Sequence, residues 1–235
     1  MMTKKCFFII LCLFSGNSIA GIMPSQSRII YEAKDKEKSL MLANTNDYPV
    51  IVQTWIDTGE GTPDKKDIPF ISIPPVFRLD SSAVKGVRII YNQTKLPQDK
   101  ESLFWFNIYE IPPERKSVNP ENSVLVTMNT QMKLFYRPKG VTITPEQAME
   151  KVTCQIKQDS IFVCSNPTPI HLSVVSVQLK NGNNLTEDTL SRDLMLMPFS
   201  QKEYQFRKGG NLAGSMIFHY IDDSGNQHEY SVNRS

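Results

Sequence analysis

The segment NSVLVTMNTQMKLFYRP, residues 122–138, is the part of the chain from which the fold is read. Val124, Val126 and Met128 alternate with Leu125, Thr127 and Asn129, the period of two of a β-strand with distinct faces. The strand continues through a basic and aromatic half, Lys133, Leu134, Phe135, Tyr136 and Arg137, and Pro138 ends it. So long a strand fits either an ordinary core position or a strand offered to another protein, and its alternation alone does not choose. Arg137-Pro138-Lys139-Gly140 reads as a short stiff linker between domains, because the pattern of strands and turns restarts beyond it.

Outward from this segment the pattern stays β. Upstream, strands are expected over residues 28–31 (RIIY), 39–43, 49–56, 68–75, 84–91 and 103–111. LFWFNIYEI, residues 103–111, is the most apolar of them and belongs at the centre of its sheet. IPFISIPP, residues 68–75, carries prolines that restrict it to an edge or a bend. Downstream, strands are expected over residues 152–157, 160–164, 171–179, 194–197, 202–206, 216–221 and 228–232. Turns are expected at Asn181-Gly182 and over residues 222–225 (DDSG). With 15 prolines among 235 residues and no long segment of helical period, the chain reads as all-β, with an immunoglobulin-like sandwich of about seven strands in its first part.

The first 20 residues read as an address. Lys4 and Lys5 precede the apolar run of residues 6–14, too short to span a bilayer, and Ser18-Ile19-Ala20 is a small-x-small cleavage site. A cleaved secretory signal peptide, residues 1–20, and a mature protein without a membrane segment are therefore expected. Lys4 and Lys5 are its only charged residues, so the formal charge falls from +2 to 0 on their removal. Nothing in that balance attracts nucleic acid. Cys6 and Cys12 leave with the signal, and Cys154 and Cys164 remain as one disulfide or two buried thiols. A bridge closing so short a loop stabilises by about 2.7 kcal/mol in the chain-entropy model. A hairpin turning near Asp159 sets the two cysteines opposite one another.

Catalytic chemistry is poorly represented. There is no G-x-S-x-G, no H-E-x-x-H, no phosphate-cradling glycine loop and no Cys–His nucleophile pattern. His219 and His228 flank the 222–225 turn and are placed to face each other across a hairpin, but no third ligand at a usable spacing accompanies them, so no metal site is expected. His171, His219 and His228 read as strand histidines with satisfied hydrogen bonds. Tyr31, Trp55, Trp105 and Tyr109 offer an aromatic ligand platform on paper, yet sandwich cores use such residues routinely.

Residues 96–112, LPQDKESLFWFNIYEIP, carry a more specific signal through Leu96-Pro97, Asp99-Lys100-Glu101-Ser102, Phe104, Phe106-Asn107-Ile108 and Ile111-Pro112. Further pieces follow the same order: Arg28-Ile29-Ile30, residues 74–80 (PPVFRLD), residues 133–138 (KLFYRP), residues 166–169 (NPTP) and residues 222–225. Together they resemble the PapD-like family, the periplasmic chaperones that assemble pili by the chaperone–usher route. The 114–121 loop is moderate and has no flanking cysteines, which resembles the short-loop subclass, although the Cys154–Cys164 pair lies outside that subclass's pattern.

The resemblance implies two immunoglobulin-like sandwiches, residues 21–138 and 139–235, set as an L around a cleft, with no enzymatic activity and no cofactor. It implies that Val124, Val126 and Met128 are lent to the groove of an incomplete fimbrial subunit, a form of β-strand addition. Burying three such side chains is worth about 5–8 kcal/mol by area, less ordering costs. It implies that Arg28 and Lys133 clamp the subunit's C-terminal carboxylate, and that Glu101, Arg137 and Asp223 fix the interdomain angle. The implied partners are fimbrial subunits and an outer-membrane usher, and the sequence leaves open whether a second copy caps the free chaperone as a homodimer; the implied compartment is the periplasm. Lys133 has the opposite parity to Val124, so either a β-bulge intervenes or the lysine works from the other face. A fimbrial subunit is a second reading, but residues 21–27 (GIMPSQS) make a poor donor segment; an exported immunoglobulin-like carbohydrate-binding protein is a third.

Overall fold

The computed structural model describes residues 21–64, 66–113, 127–158, 161–181, 184–187, 193–206 and 215–232. Its first half contains β1 (Ile22–Pro24), β2 (Arg28–Glu32), β3 (Lys38–Asn44), β4 (Val50–Asp57), β5 (Phe70–Ile73), β6 (Val76–Leu79), β7 (Val84–Tyr91), β8 (Ser102–Ile111) and β9 (Met128–Arg137). They build two sheets, ordered β1-β3-β7-β5 and β2-β9-β8-β4-β6. Alternate residues face inward, as the pleat requires: Leu40 and Leu42, Val87 and Ile89, Phe104, Phe106 and Ile108, and Met132, Leu134 and Tyr136 share one core. The apolar β8 lies third of five, at the centre of its sheet.

The prolines decide where the chain changes sheets. β5 is an edge strand, the Ile73–Pro74 peptide is cis, and the chain then enters β6 in the opposite sheet. The expected strand over residues 68–75 narrows to β5, and a separate strand, VFRL of residues 76–79, was missed. β1 was missed as well; it pairs antiparallel with β3 before the chain crosses over at residues 25–27 to begin β2.

The second half restarts after the linker, where Val141 N donates to Pro138 O. A short helix α1 (Pro145–Met149) was not expected, yet its signals are present: Thr144 caps it, Gln147 closes the capping box and Pro145 occupies the first turn. There follow β10 (Thr153–Gln158), β11 (Ile161–Asn166), β12 (Ser173–Asn181), β13 (Asn184–Glu187), β14 (Ser200–Gln205), β15 (Ser215–Ile221) and β16 (Gln227–Val232). Their sheets are β10-β11-β14 and β13-β12-β15-β16, around a second core that includes Phe162, Leu172, Tyr204 and Phe218. The chain is thus all-β in character, with two immunoglobulin-like domains. The expected strand over residues 194–197 is only a bridge between Leu172 and Leu196.

Cys154 and Cys164 are direct partners across β10 and β11 and form a disulfide. Reduction with excess thiol is expected to destabilise the second domain by at most about 2.7 kcal/mol. A lowered Tm under reducing conditions, unchanged in a Cys154→Ala/Cys164→Ala double variant, would demonstrate it.

Candidate functional site

The parallel pairing of β2 with β9 creates the site. Arg28 lies opposite Lys133, Ile30 opposite Phe135 and Glu32 opposite Arg137. Paired residues of a parallel ladder share a face, so these three pairs project from the side of the sheet away from Leu134 and Tyr136. That is the side on which the second domain packs. Arg28 Nη1 donates to Ile221 O (3.0 Å), Phe135 and His171 rings lie 5.4 Å apart, and Arg137 reaches Asp223.

Arg28 and Lys133 are neighbouring cations with little to neutralise them. Arg28 is only 7 % exposed, and its buried Nε has no hydrogen-bond partner among the described residues. Lys133 Nζ rests 3.6 Å from Met195 Sδ and 5.8 Å from the centroid of the Trp105 ring, contacts that leave its charge uncompensated. Burial pushes both pKa values down; the Arg28 guanidinium depresses Lys133 further, while Asp223 and Asp222 act against the shift at Arg28. Two desolvated cations on one face, one with an unused donor, have the chemistry of an anion site.

Beside this pair runs an open strand edge. β8 pairs with β9 from Met128 to Tyr136 without a break in register. β2 covers the other edge only from Lys133 to Arg137, because its chain has just crossed from the opposite sheet. Among the described residues, the backbone of Met128 to Met132 therefore has a neighbour on one side only. Met128 begins β9 and is 50 % exposed; Val124 and Val126 lie outside the described residues. The unbroken register also answers the parity question as far as Met128: no bulge intervenes, and Lys133 projects from the opposite face to Met128.

Glu101, Arg137 and Asp223 come together across the two domains. Arg137 donates through Nε to Glu101 Oε1 (2.8 Å) and through Nη1 and Nη2 to Asp223 (2.5 and 3.0 Å). Burial opposes the Arg137 charge, but Asp223 and Glu101 outweigh it and hold its pKa above the usual arginine value. Sequence reasoning missed a fourth member. Glu101 Oε2 accepts from His171 N (2.8 Å) and lies 3.2 Å from His171 Nδ1, with both side chains buried. The nearby turn at 222–225 requires its glycine: Gly225 has φ +91°, and a Cβ there would sit 2.4 Å from Ser27 Oγ of the first domain.

The sequence offered two ring arrangements, and neither occurs. His219 pairs with Glu229 and His228 with Tyr220, so the two histidines occupy opposite faces of the hairpin. Tyr31 is core, whereas Trp55, Trp105 and Tyr109 are half-buried on the outer face of their sheet, so the four form no single platform. No described helix is long and apolar enough to cross a membrane.

Two sandwiches carry a half-covered strand and, beside it, a pair of buried cations. Residues 21–142 match the family model "Pili and flagellar-assembly chaperone, PapD N-terminal domain", and residues 147–232 match "Pili assembly chaperone PapD, C-terminal domain". The chain belongs to this family of fimbrial chaperones, which are not enzymes. It is 33 % identical to the probable fimbrial chaperone YadV of Escherichia coli K12, over 95 % of this chain and 93 % of that one. The CupB2 chaperone of Pseudomonas aeruginosa matches with a TM-score of 0.77 and 28 % identity, covering 91 % of this chain and all of that one. A chain of the Salmonella enterica complex of SafA pilin with the SafB chaperone matches with a TM-score of 0.76 and 25 % identity, covering 91 % and 96 % respectively.

Proposed function

We propose that the protein captures fimbrial subunits in the periplasm by lending them a strand, and passes them to an outer-membrane usher without ATP. The observation that carries this is the uncovered edge of β9 from Met128 to Met132, beside the paired cations Arg28 and Lys133. An incomplete subunit sandwich exposes the complementary edge, and pairing it extends the β2-β9-β8-β4-β6 sheet by addition. Val124, Val126 and Met128 supply the side chains for the subunit groove, and Arg28 with Lys133 holds its terminal carboxylate and so sets the register. Glu101, Arg137 and Asp223 keep the two domains at the angle that frames the cleft. The domains run from 21 to 138 and from 139 to 235, after export removes residues 1–20. A second copy pairing along the same edge caps the chaperone between subunits.

Against the reading as a subunit, residues 22–24 are already committed to β1, paired with β3 in the first domain, and supply no free donor segment. Copurification from the periplasm with co-expressed subunits, identified by mass spectrometry, tests the proposal; recovery of the protein without any subunit would overturn it. Val126→Asp is expected to reduce subunit recovery by at least tenfold, since an ionised carboxylate cannot enter an apolar groove without a partner. The Tm is expected to stay within a few degrees; a large fall would mark Val126 as ordinary core.

A further inference from the structure

The second domain brings Glu146, Asp222 and His228 together from three separate segments, the first turn of α1, the turn after β15 and the strand β16. One ligand atom from each lies within 4.8 Å of the other two. His228 Nε2 is 2.8 Å from Asp222 Oδ2, and its ring stacks on Tyr220 with centroids 5.5 Å apart. Asn226 N donates to Asp222 Oδ1 (2.8 Å) and orients that carboxylate. Alone, Asp222 and His228 would be a hydrogen-bonded pair closing the hairpin. Glu146 does not fit that account: its carboxylate makes no hydrogen bond or ion pair among the described residues, yet it lies close to a second carboxylate. Like charges so close repel unless a cation lies between them.

We propose that Glu146, Asp222 and His228 form a binding site for a divalent transition-metal ion of the zinc class. One neutral imidazole and two carboxylates give a mixed N/O donor set carrying two negative charges, matched by one dication, with solvent completing a tetrahedron. The imidazole disfavours calcium and magnesium, which take oxygen ligands. Bonds of about 2.0–2.2 Å require donors closer together than 4.8 Å, so the Glu146 side chain swings inward and the Asp222–His228 contact opens slightly. The Asn226 amide acts as the outer-shell partner that fixes Asp222. A bound ion straps α1 to the turn whose neighbouring groups, Ile221 O and the Asp223 carboxylate, receive Arg28 and Arg137 of the first domain. It therefore stiffens the part of the second domain that holds the interdomain contacts.

Calorimetric titration of the chelator-stripped chain with zinc chloride, at neutral pH and with Glu146→Gln and His228→Gln alongside, tests the site. Losing an outer-shell partner typically weakens metal affinity about 10- to 100-fold, and losing a ligand should do no less. One ion per wild-type chain, weakened at least tenfold in each variant, is the expected result, with a zinc-dependent rise in Tm confined to wild type. Glu146 makes no side-chain hydrogen bond or ion pair among the described residues, so its variant folds normally and carries the decision even if His228→Gln is unstable. Absence of binding, or full affinity in Glu146→Gln, overturns the site; either result leaves subunit capture, read by copurification in chelator, untouched.

Discussion

Arg28→Ala and Lys133→Ala are each expected to abolish recovery of fimbrial subunits while leaving the chaperone folded. The subunit's terminal carboxylate has two oxygens for two cations, and a hydrogen bond to a charged group contributes about 1.5–3 kcal/mol. At about 1.4 kcal/mol per decade, each substitution lowers affinity by about one to two orders of magnitude. Loss of register along the lent strand adds to that. Folding should survive because neither cation forms an ion pair among the described residues, and removing Arg28 also removes a buried donor with no partner. Pull-down of tagged subunit from the periplasm, with circular dichroism of the free chaperone, checks both halves. Equal subunit recovery from the variants and wild type would sink the clamp.

The opposite balance is expected at Arg137. Arg137→Ala leaves Glu101, 3 % exposed, as a buried charge without its guanidinium, and frees the more exposed Asp223. Breaking a buried ion pair from one side costs about 3–5 kcal/mol, most of it here from Glu101, since Asp223 is screened by solvent. Urea unfolding should show that loss, and small-angle scattering should show a changed spacing of the two domains. A cost below about 1 kcal/mol, the range of surface pairs, would show that the network does not hold the domains together. Arg137→Lys keeps the charge without the planar fork, so it cannot span Glu101 and Asp223 as Arg137 does, and an intermediate loss is expected.

Much of this architecture was legible in the residues, for local reasons. Short runs rich in β-branched and aromatic residues, bounded by turn signals, located β3, β4, β7 and β8. The prolines at 74 and 75 marked the place where the chain leaves one sheet for the other. β1 escaped notice because three residues are too few to show a period. The helix signals at Thr144 to Gln147 were present but precede only five helical residues, below the length at which helical periodicity is visible. The hairpin expected to bring His219 and His228 face to face failed by one residue of register, and one residue is enough to reverse a strand's faces.

By itself, then, the chain's sequence determined the all-β class, the restart after Pro138 and the family, and it set Cys154 opposite Cys164 without choosing between a bridge and two thiols. Each of these is written in spacing, turn chemistry or ordered motifs that neighbouring residues carry. Tertiary structure alone decided the rest. It set Arg28 directly beside Lys133, because parallel pairing joins segments far apart in the chain. Among the described residues it left Met128 to Met132 with one neighbour, because β2 starts only where the chain has crossed between sheets. It added His171 to the Glu101–Arg137–Asp223 group and brought Glu146 to Asp222 and His228. In the described part of the opening segment, β9, alternation assigned the faces, but only the strands packed around it decide which edge stays open.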